Sequence, residues 1–314
     1  MKVLLLAPKD SPTYLNALYA ALRVQVGTCD LYALDGKQSA NLDDFFRHFV
    51  RLPHYDRIVL MYDGDFIYQQ GRFLRTLPNL AMLRPEFDPP ETRRKMKSNF
   101  HAMPWLRWIG SDVDVAQEYS GQGHDVFWIP QIYDPEHFFA RAKVRELPAC
   151  HVYDGGGEVA AQLQKALAGK MELNVLARAR EALWTEMSSG IVGREDLFVF
   201  IPESDHYDPT PMIWAMACGA VVLTPDPGNE IRMIYRWRNL HDTIFFNKKD
   251  ALIPIIDKIL LNPHRLASLA QHALARVKIF QPQSIGQRIG EFLETQVRNP
   301  ADYPKRQRIF GFEI

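Results

Sequence analysis

The sequence predicts an α/β protein of two domains, each a parallel sheet covered by helices, and three observations carry that prediction. Its 314 residues are long for one domain and comfortable for two of about 150. Short apolar runs alternate with longer amphipathic ones along the chain, the pattern of strands each followed by a crossover helix. Between the halves, Ile129-Pro-Gln-Ile-Tyr-Asp134-Pro-Glu-His-Phe138 holds two prolines, each pressing its predecessor towards extended structure, which suits a crossing between domains.

The first domain is expected over residues 1–132. Val3–Ala7 reads as a buried first strand and not as a secretory segment, because the apolar run is short and the charged Lys9 and Asp10 follow it. Tyr14–Val24 is helical and Asp30–Leu34 is a second strand. Asp43–Leu52 is a helix with Phe45, Phe46 and Phe49 on one side. Arg57–Tyr62 is a strand that ends in Asp63-Gly64-Asp65. Arg84–Arg94, rich in proline and arginine, has a poor helical pattern and reads as a surface loop. Trp105–Ile109 and Asp125–Ile129 are the last strands of this half.

The second domain, 133–297, repeats the rhythm. A charged linker, Arg141–Glu146, leads to the strand His151–Tyr153, and Gly155-Gly-Gly157 opens the helix Glu158–Ala168. Strands follow at Leu173–Leu176, Leu197–Ile201, Ala220–Leu223 and Thr243–Phe246. The helices between and after them are Arg178–Met187, Pro211–Cys218, Glu230–Trp237, Lys249–Leu261, Pro263–Ile279 and Ser284–Val297. The tail, 298–314, mixes prolines, basic residues and aromatics and is expected to pack back on the first domain.

Composition narrows the function. Lys plus Arg and Asp plus Glu both number 37, so no basic excess selects a long polyanion. Cys29, Cys150 and Cys218 lie far apart with no metal-ligand spacing, which fits buried thiols in a reducing cytoplasm. No stretch approaches the roughly 18 apolar residues of a membrane span.

The chemistry gathers around Asp196-Leu-Phe-Val-Phe-Ile-Pro-Glu-Ser204 and Thr210-Pro-Met-Ile-Trp-Ala-Met-Ala-Cys-Gly-Ala-Val-Val-Leu-Thr224. A strand ends at Ile201, a polar loop follows, and a helix starts with Thr210 at the cap and Pro211 at the first helical position. Free N–H groups and the positive dipole end at such a start are a ready site for a diphosphate. Ala215, Ala217 and Gly219 are small enough for the helix to lie close to the sheet.

These segments resemble the donor-binding domain of GT-B glycosyltransferases, in particular the group-1 and CgeB-like branch. Residues 129–138 are similar to that group's interdomain segment, and 247–280 to its C-terminal helices, so the likeness covers roughly 120–295. It implies two Rossmann-like domains with parallel sheets facing a central cleft. It also implies a nucleotide-sugar donor, a hydroxyl-bearing acceptor (carbohydrate, small molecule, protein or modified DNA), and neither metal nor bound cofactor. The family usually places two glutamates, with seven residues between them, around the central loop, the later one binding the ribose hydroxyls. This chain has His206 and Trp214 there, and an indole N–H only donates. Where the family commonly has an Arg and a Lys for the donor phosphates, this chain has Tyr153-Asp-Gly-Gly-Gly-Glu158. Glycines let backbone approach a phosphate, whereas Asp154 and Glu158 repel one.

Donor contacts are therefore expected from Gly155, Gly156, Arg178, Glu203, Asp205, Tyr207, Thr210, Pro211, Met212 and Trp214. Asp208 stands as a substitute acid, Arg180 and Lys165 as substitute cations. Asp63, Asp65 and His206 are the candidates for accepting the acceptor's proton, with a solvated turn as the alternative reading of Asp63-Gly64-Asp65. Asp112 and Asp114, like Asp63 and Asp65, lack the further ligands that a metal needs. Three functions fit these residues: sugar transfer, a non-catalytic binding descendant of the same fold (a pseudo-glycosyltransferase), and a sugar-nucleotide epimerase or hydrolase.

Overall fold

Two parallel sheets organise the chain. The computed structural model describes residues 1–10, 16–77, 79–85, 90–143, 146–154, 158–202, 207–297, 308–309 and 312–313. Contacts divide the chain into one unit of Met1–Pro130 with Ile285–Ile314 and a second of Gln131–Ser284.

Unit 1 begins with β1 (Lys2–Pro8), α1 (Asn16–Gln25), β2 (Thr28–Leu34), α2 (Gly36–Ala40), α3 (Leu42–Phe49) and β3 (Arg57–Leu60). It continues through α4 (Gly64–Gln69), α5 (Gly71–Leu74), β4 (Leu80–Arg84), α6 (Pro90–Ala102), β5 (Arg107–Gly110), α7 (Val113–Gly121) and β6 (Val126–Trp128). The strands lie in the order β2-β1-β3-β4-β5-β6, and every pair is parallel. Helices cover both faces of such a sheet, so an inner strand is apolar without alternation. Val3–Ala7 of β1 is accordingly buried throughout.

The expectation of a loop over Arg84–Arg94 fails at both ends, and residues 86–89 between them lie outside the described residues. The stretch starts at the end of a sheet strand and runs into the first turns of α6. Leu80–Leu83 is fully buried, yet it lacks β-branched residues and is short, so its strand signal is weak. Polar residues dominate α6, and among the described residues its buried stripe is Met96, Asn99 and Phe100, too sparse for a clear period. Tertiary burial, not propensity, makes both elements.

Unit 2 comprises β7 (Ala149–Asp154), α8 (Glu158–Leu167), β8 (Glu172–Val175), α9 (Arg180–Ser188), β9 (Leu197–Ile201) and α10 (Thr210–Ala217). β10 (Val221–Pro225), α11 (Asn229–Tyr235), β11 (Ile244–Phe246), α12 (Leu252–Leu260) and α13 (Pro263–Val277) complete it. Its sheet is again wholly parallel, in the order β11-β10-β9-β7-β8. Val152, Val199, Leu223 and Ile244 from the strands join Leu163 of α8, Ile256 of α12 and Leu269 of α13 in its core.

A last helix, α14 (Pro282–Glu294), was expected with the second domain; from Ile285 onward it belongs to unit 1. Gly286 explains the close fit. A Cβ there would stand 3.2 Å from the backbone of Ala21 and Leu22 in α1, so any side chain would push the two helices apart by a few tenths of an ångström. At the other end, Arg57 Nε donates to the Leu293 carbonyl at 2.8 Å, and Arg107 Nη2 to that of Phe292 at 2.6 Å. Two cations thus satisfy carbonyls that the helix terminus leaves open, where the dipole favours positive charge. Of the tail, Arg308–Ile309 and Phe312–Glu313 pair as a short antiparallel ribbon, and the rest of 298–314 lies outside the described residues. Among the described residues no helix is long and apolar enough to cross a membrane.

Candidate functional site

In unit 2 the strand order reverses between β7 and β9, since β8 lies outside β7 while β10 lies outside β9. Connections on either side of such a point leave towards opposite faces, and a crevice opens beyond the carboxyl ends of the strands. A cavity of about 180 Å³ occupies that position. Tyr153 lines it from the end of β7, Arg178 from the β8–α9 connection, Arg180 from the start of α9, Phe200 from β9 and Pro202 from just beyond it. Asp208 and Thr210 close it from the start of α10.

The helix start differs from the expected one by a residue. Pro209 occupies the cap position and Thr210 is the first helical residue, so Thr210 does not cap. Asp208 does that work from one position upstream. Its Oδ1 accepts the Thr210 N–H at 3.0 Å and the Thr210 hydroxyl at 2.6 Å, the local bonding that aspartate makes in turns. Pro211 forfeits no bond here, because the first N–H groups of a helix have no partner inside it. The other oxygen of Asp208 accepts from Arg180 Nη2, which also reaches the Thr210 hydroxyl at 3.4 Å. Arg178, next along the rim, is exposed.

The far end of α10 explains its Ala-Met-Ala-Cys-Gly run. Gly219 has φ +84°, its N–H donates to the Met216 carbonyl at 3.0 Å, and the Ala220 N–H reaches back to Ala215, also at 3.0 Å. This paired closure stops a helix in a left-handed residue, where glycine carries no penalty. A side chain would also crowd Ala140 and Arg194, at 3.1 and 3.3 Å. The run is thus a close-packed helix stop feeding β10, which makes it a marker of fold.

Among the expected donor contacts, Thr210, Pro211, Arg178 and Trp214 border the cavity, but Trp214 is only 1 % exposed. Its ring stacks on Phe138 with centroids 4.9 Å apart, and its Nε1 donates to the Ile132 carbonyl at 3.3 Å. Trp214 therefore fastens the segment 132–138 to α10. Met212 is buried and receives the Tyr207 hydroxyl at its sulfur, 3.8 Å away. Tyr207 packs edge-on to Phe200 and Trp237, and burial pushes its phenol well above the ordinary range. Both lie behind the cavity wall. Gly155, Gly156, Glu203, Asp205 and His206 lie outside the described residues.

Beside those glycines, the buried Asp154 accepts the Val159 N–H at 2.7 Å and the Ala160 N–H at 3.1 Å. The start of α8 is thus already met by a protein carboxylate. Asp63 plays the same part in unit 1, capping α4 through the Phe66 N–H at 2.8 Å. Asp65 instead pairs with Lys95 Nζ at 2.6 Å. Asp112 caps α7 through the Val115 N–H at 3.1 Å. No group of three metal-binding side chains occurs among the described residues.

Sequence reading ranks Arg180 and Asp208 only as substitutes, whereas here they meet directly across the cavity rim. The available signal was Asp208-Pro-Thr-Pro211, a turn-and-start sequence with its acid two residues before the helix. Tyr153 and Phe200, which stack at 5.6 Å, carry no such signal.

The fold recurs in solved structures. HepE from Anabaena in complex with UDP-glucose is 14% identical, with 93% of this chain and 99% of that one covered and a TM-score of 0.62. The chain has the GT-B fold. A glycosyltransferase from Rickettsia africae is 10% identical over 94% of this chain and 99% of that one, with a TM-score of 0.56. A putative UDP-N-acetylglucosamine 2-epimerase from Listeria monocytogenes is 11% identical over 95% and 98%, at 0.55. No family model matches the chain, and no curated protein matches it by sequence. At these identities the GT-B likeness concerns the two Rossmann-like domains, and the chemistry rests on the residues themselves.

Proposed function

We propose that this protein is a glycosyltransferase that moves a sugar from a nucleotide-diphosphate sugar to a hydroxyl-bearing acceptor, which we take to be a carbohydrate, small molecule, protein or modified DNA. The observation that carries the reading is the switch-point cavity of unit 2, where Arg178, Arg180 and Thr210 meet at the start of α10. In the reaction the bond from the anomeric carbon to the diphosphate oxygen breaks and a bond to the acceptor oxygen forms. The leaving diphosphate gathers negative charge, and two guanidinium groups beside a helix start are suited to stabilise it. That supply of positive charge is why we propose a reaction without metal or bound cofactor. Tyr153 and Phe200 offer aromatic surface to the nucleotide. For the proton of the acceptor we favour Asp65 over Asp63, whose carboxylate is committed to a helix start. Free Cys29, Cys150 and Cys218 support a cytoplasmic place of work.

The test is to heat the protein with UDP-, GDP- and ADP-sugars and to assay release of nucleoside diphosphate with and without acceptor mixtures. At least one nucleotide is expected to raise the melting temperature, and release is expected to depend on acceptor. Absence of stabilisation by every nucleotide would remove the proposal. Two other readings keep specific support. A non-catalytic binding protein is favoured by Trp214, a structural tryptophan standing where the resemblance implies a ribose-binding glutamate; it would bind nucleotide without turnover. An epimerase or hydrolase is suggested by the Listeria structure, and it would consume sugar nucleotide with no acceptor present.

A further inference from the structure

The Arg180–Asp208 pair lines the unit 2 cavity beside Arg178 and Thr210, and its geometry suggests more than a static brace. The two oxygens of Asp208 have different partners. Oδ1 is fixed by the Thr210 N–H at 3.0 Å and the Thr210 hydroxyl at 2.6 Å, so the backbone holds the carboxylate in place. Oδ2 accepts from the Arg180 side chain. Both side chains are about a quarter exposed, 26% and 24%, so water can replace either partner and separation costs little. Arg180 is the first residue of α9, and its Nη2 also reaches the Thr210 hydroxyl at 3.4 Å.

We infer that a nucleoside diphosphate displaces this ion pair: Arg180 turns from Asp208 Oδ2 to the phosphates, and the freed Oδ2 accepts a ribose hydroxyl. One charged contact is exchanged for two contacts to one ligand, with Oδ1 remaining on Thr210 throughout. A guanidinium suits this exchange, because phosphate and carboxylate present it with the same two-oxygen edge. A ligand with hydroxyls but no phosphate lacks the anion that takes Arg180 away, so it meets Oδ2 still engaged. The cavity is thereby selective for charged nucleotides over nucleosides. This exchange rests on the proposed donor site, and the experiment separates the two.

Calorimetric titration of the full chain would use whichever of UDP, GDP and ADP binds best, its 2′-deoxy and 3′-deoxy analogues, and its nucleoside. Wild-type protein is expected to lose about tenfold in affinity when one ribose hydroxyl is missing, and far more without phosphates, a tenfold change being the unit that such titrations resolve. Asp208→Asn keeps an oxygen for Thr210 but turns the other atom into a donor. It should bring the hydroxyl penalty to about onefold. Arg180→Gln, which leaves both Asp208–Thr210 bonds in place, should weaken the diphosphate about tenfold or more and strengthen or leave unchanged the nucleoside. It also serves if Asp208→Asn fails to fold. If both variants weaken diphosphate, deoxy analogues and nucleoside by the same factor, the pair is a brace and the exchange is overturned. If wild-type protein binds no nucleotide at all, the donor site itself falls, and the exchange with it.

Discussion

The two units share a topology and differ in what stands at its switch point. In unit 1 the order reverses between β1 and β3, in unit 2 between β7 and β9. At the first, Asp63 caps α4, and Asp65 holds Lys95 through one oxygen while its other oxygen accepts no hydrogen bond. At the second, Arg178 is exposed, Arg180 pairs with the partly exposed Asp208, and all three line a cavity. A doubly wound sheet supplies a crevice by its connectivity alone, but whether the crevice attracts an anion depends on the few side chains at the strand ends.

The largest expected effect tests whether Trp214 belongs to the frame of unit 2 or to its ligand. Trp214→Ala should destabilise the protein by about 3–5 kcal/mol in urea titration, the usual cost of emptying a buried aromatic site. Trp214→Phe should restore most of that loss by keeping the stack on Phe138. If Trp214→Ala instead unfolds like wild type and only loses nucleotide, the tryptophan is a ligand contact and the contrast weakens.

The next test concerns the acids of unit 1. Asp65→Asn should lower transfer about a hundredfold with donor affinity unchanged, the lower end of what a general base contributes. Asp63→Ala should mainly cost about 1 kcal/mol of stability as a lost helix cap. Equal loss of turnover in both variants, with stability intact, would show that the two acids act together.

A smaller effect separates the two switch points directly. Arg178→Ala should weaken nucleoside diphosphate binding about tenfold, or roughly 1.4 kcal/mol, at unchanged melting temperature, because the side chain is exposed. Lys95→Ala in unit 1 should leave nucleotide affinity as it is. An equal penalty from the two would break the assignment of the donor to unit 2.

The smallest effect compares the cysteines. Burial pushes Cys150 and Cys218 of unit 2 up to about 12, and Cys29 of unit 1 up to about 11. Only the thiolate reacts, so all three should resist a thiol reagent at neutral pH, with Cys29 first to react as pH is raised. Rapid labelling of Cys150 in the native protein would contradict the closed core of unit 2.

Sequence alone determined the architecture of unit 2 almost strand for strand. Its central strands β9 and β10 are rich in Val, Ile, Leu and Phe, α12 and α13 carry apolar stripes, and Gly219 signals a helix stop by composition. These are local signals, and they survive without neighbours. In unit 1 the same reading missed β4 and α6, because Leu80–Arg84 and Pro90–Ala102 become regular only when the surrounding sheet buries them. The placement of α14 was likewise invisible, since Gly286, Arg57 and Arg107 meet from positions far apart in the chain. The site divides the same way. Arg178 and the Thr210-Pro211 start were legible, whereas the engagement of Trp214 with Phe138 and Ile132 was decided only by folding. So was the meeting of Arg180 with Asp208. A side chain's chemistry is written in the sequence, but which of its atoms remain available for a ligand depends on the partners that tertiary structure brings to it.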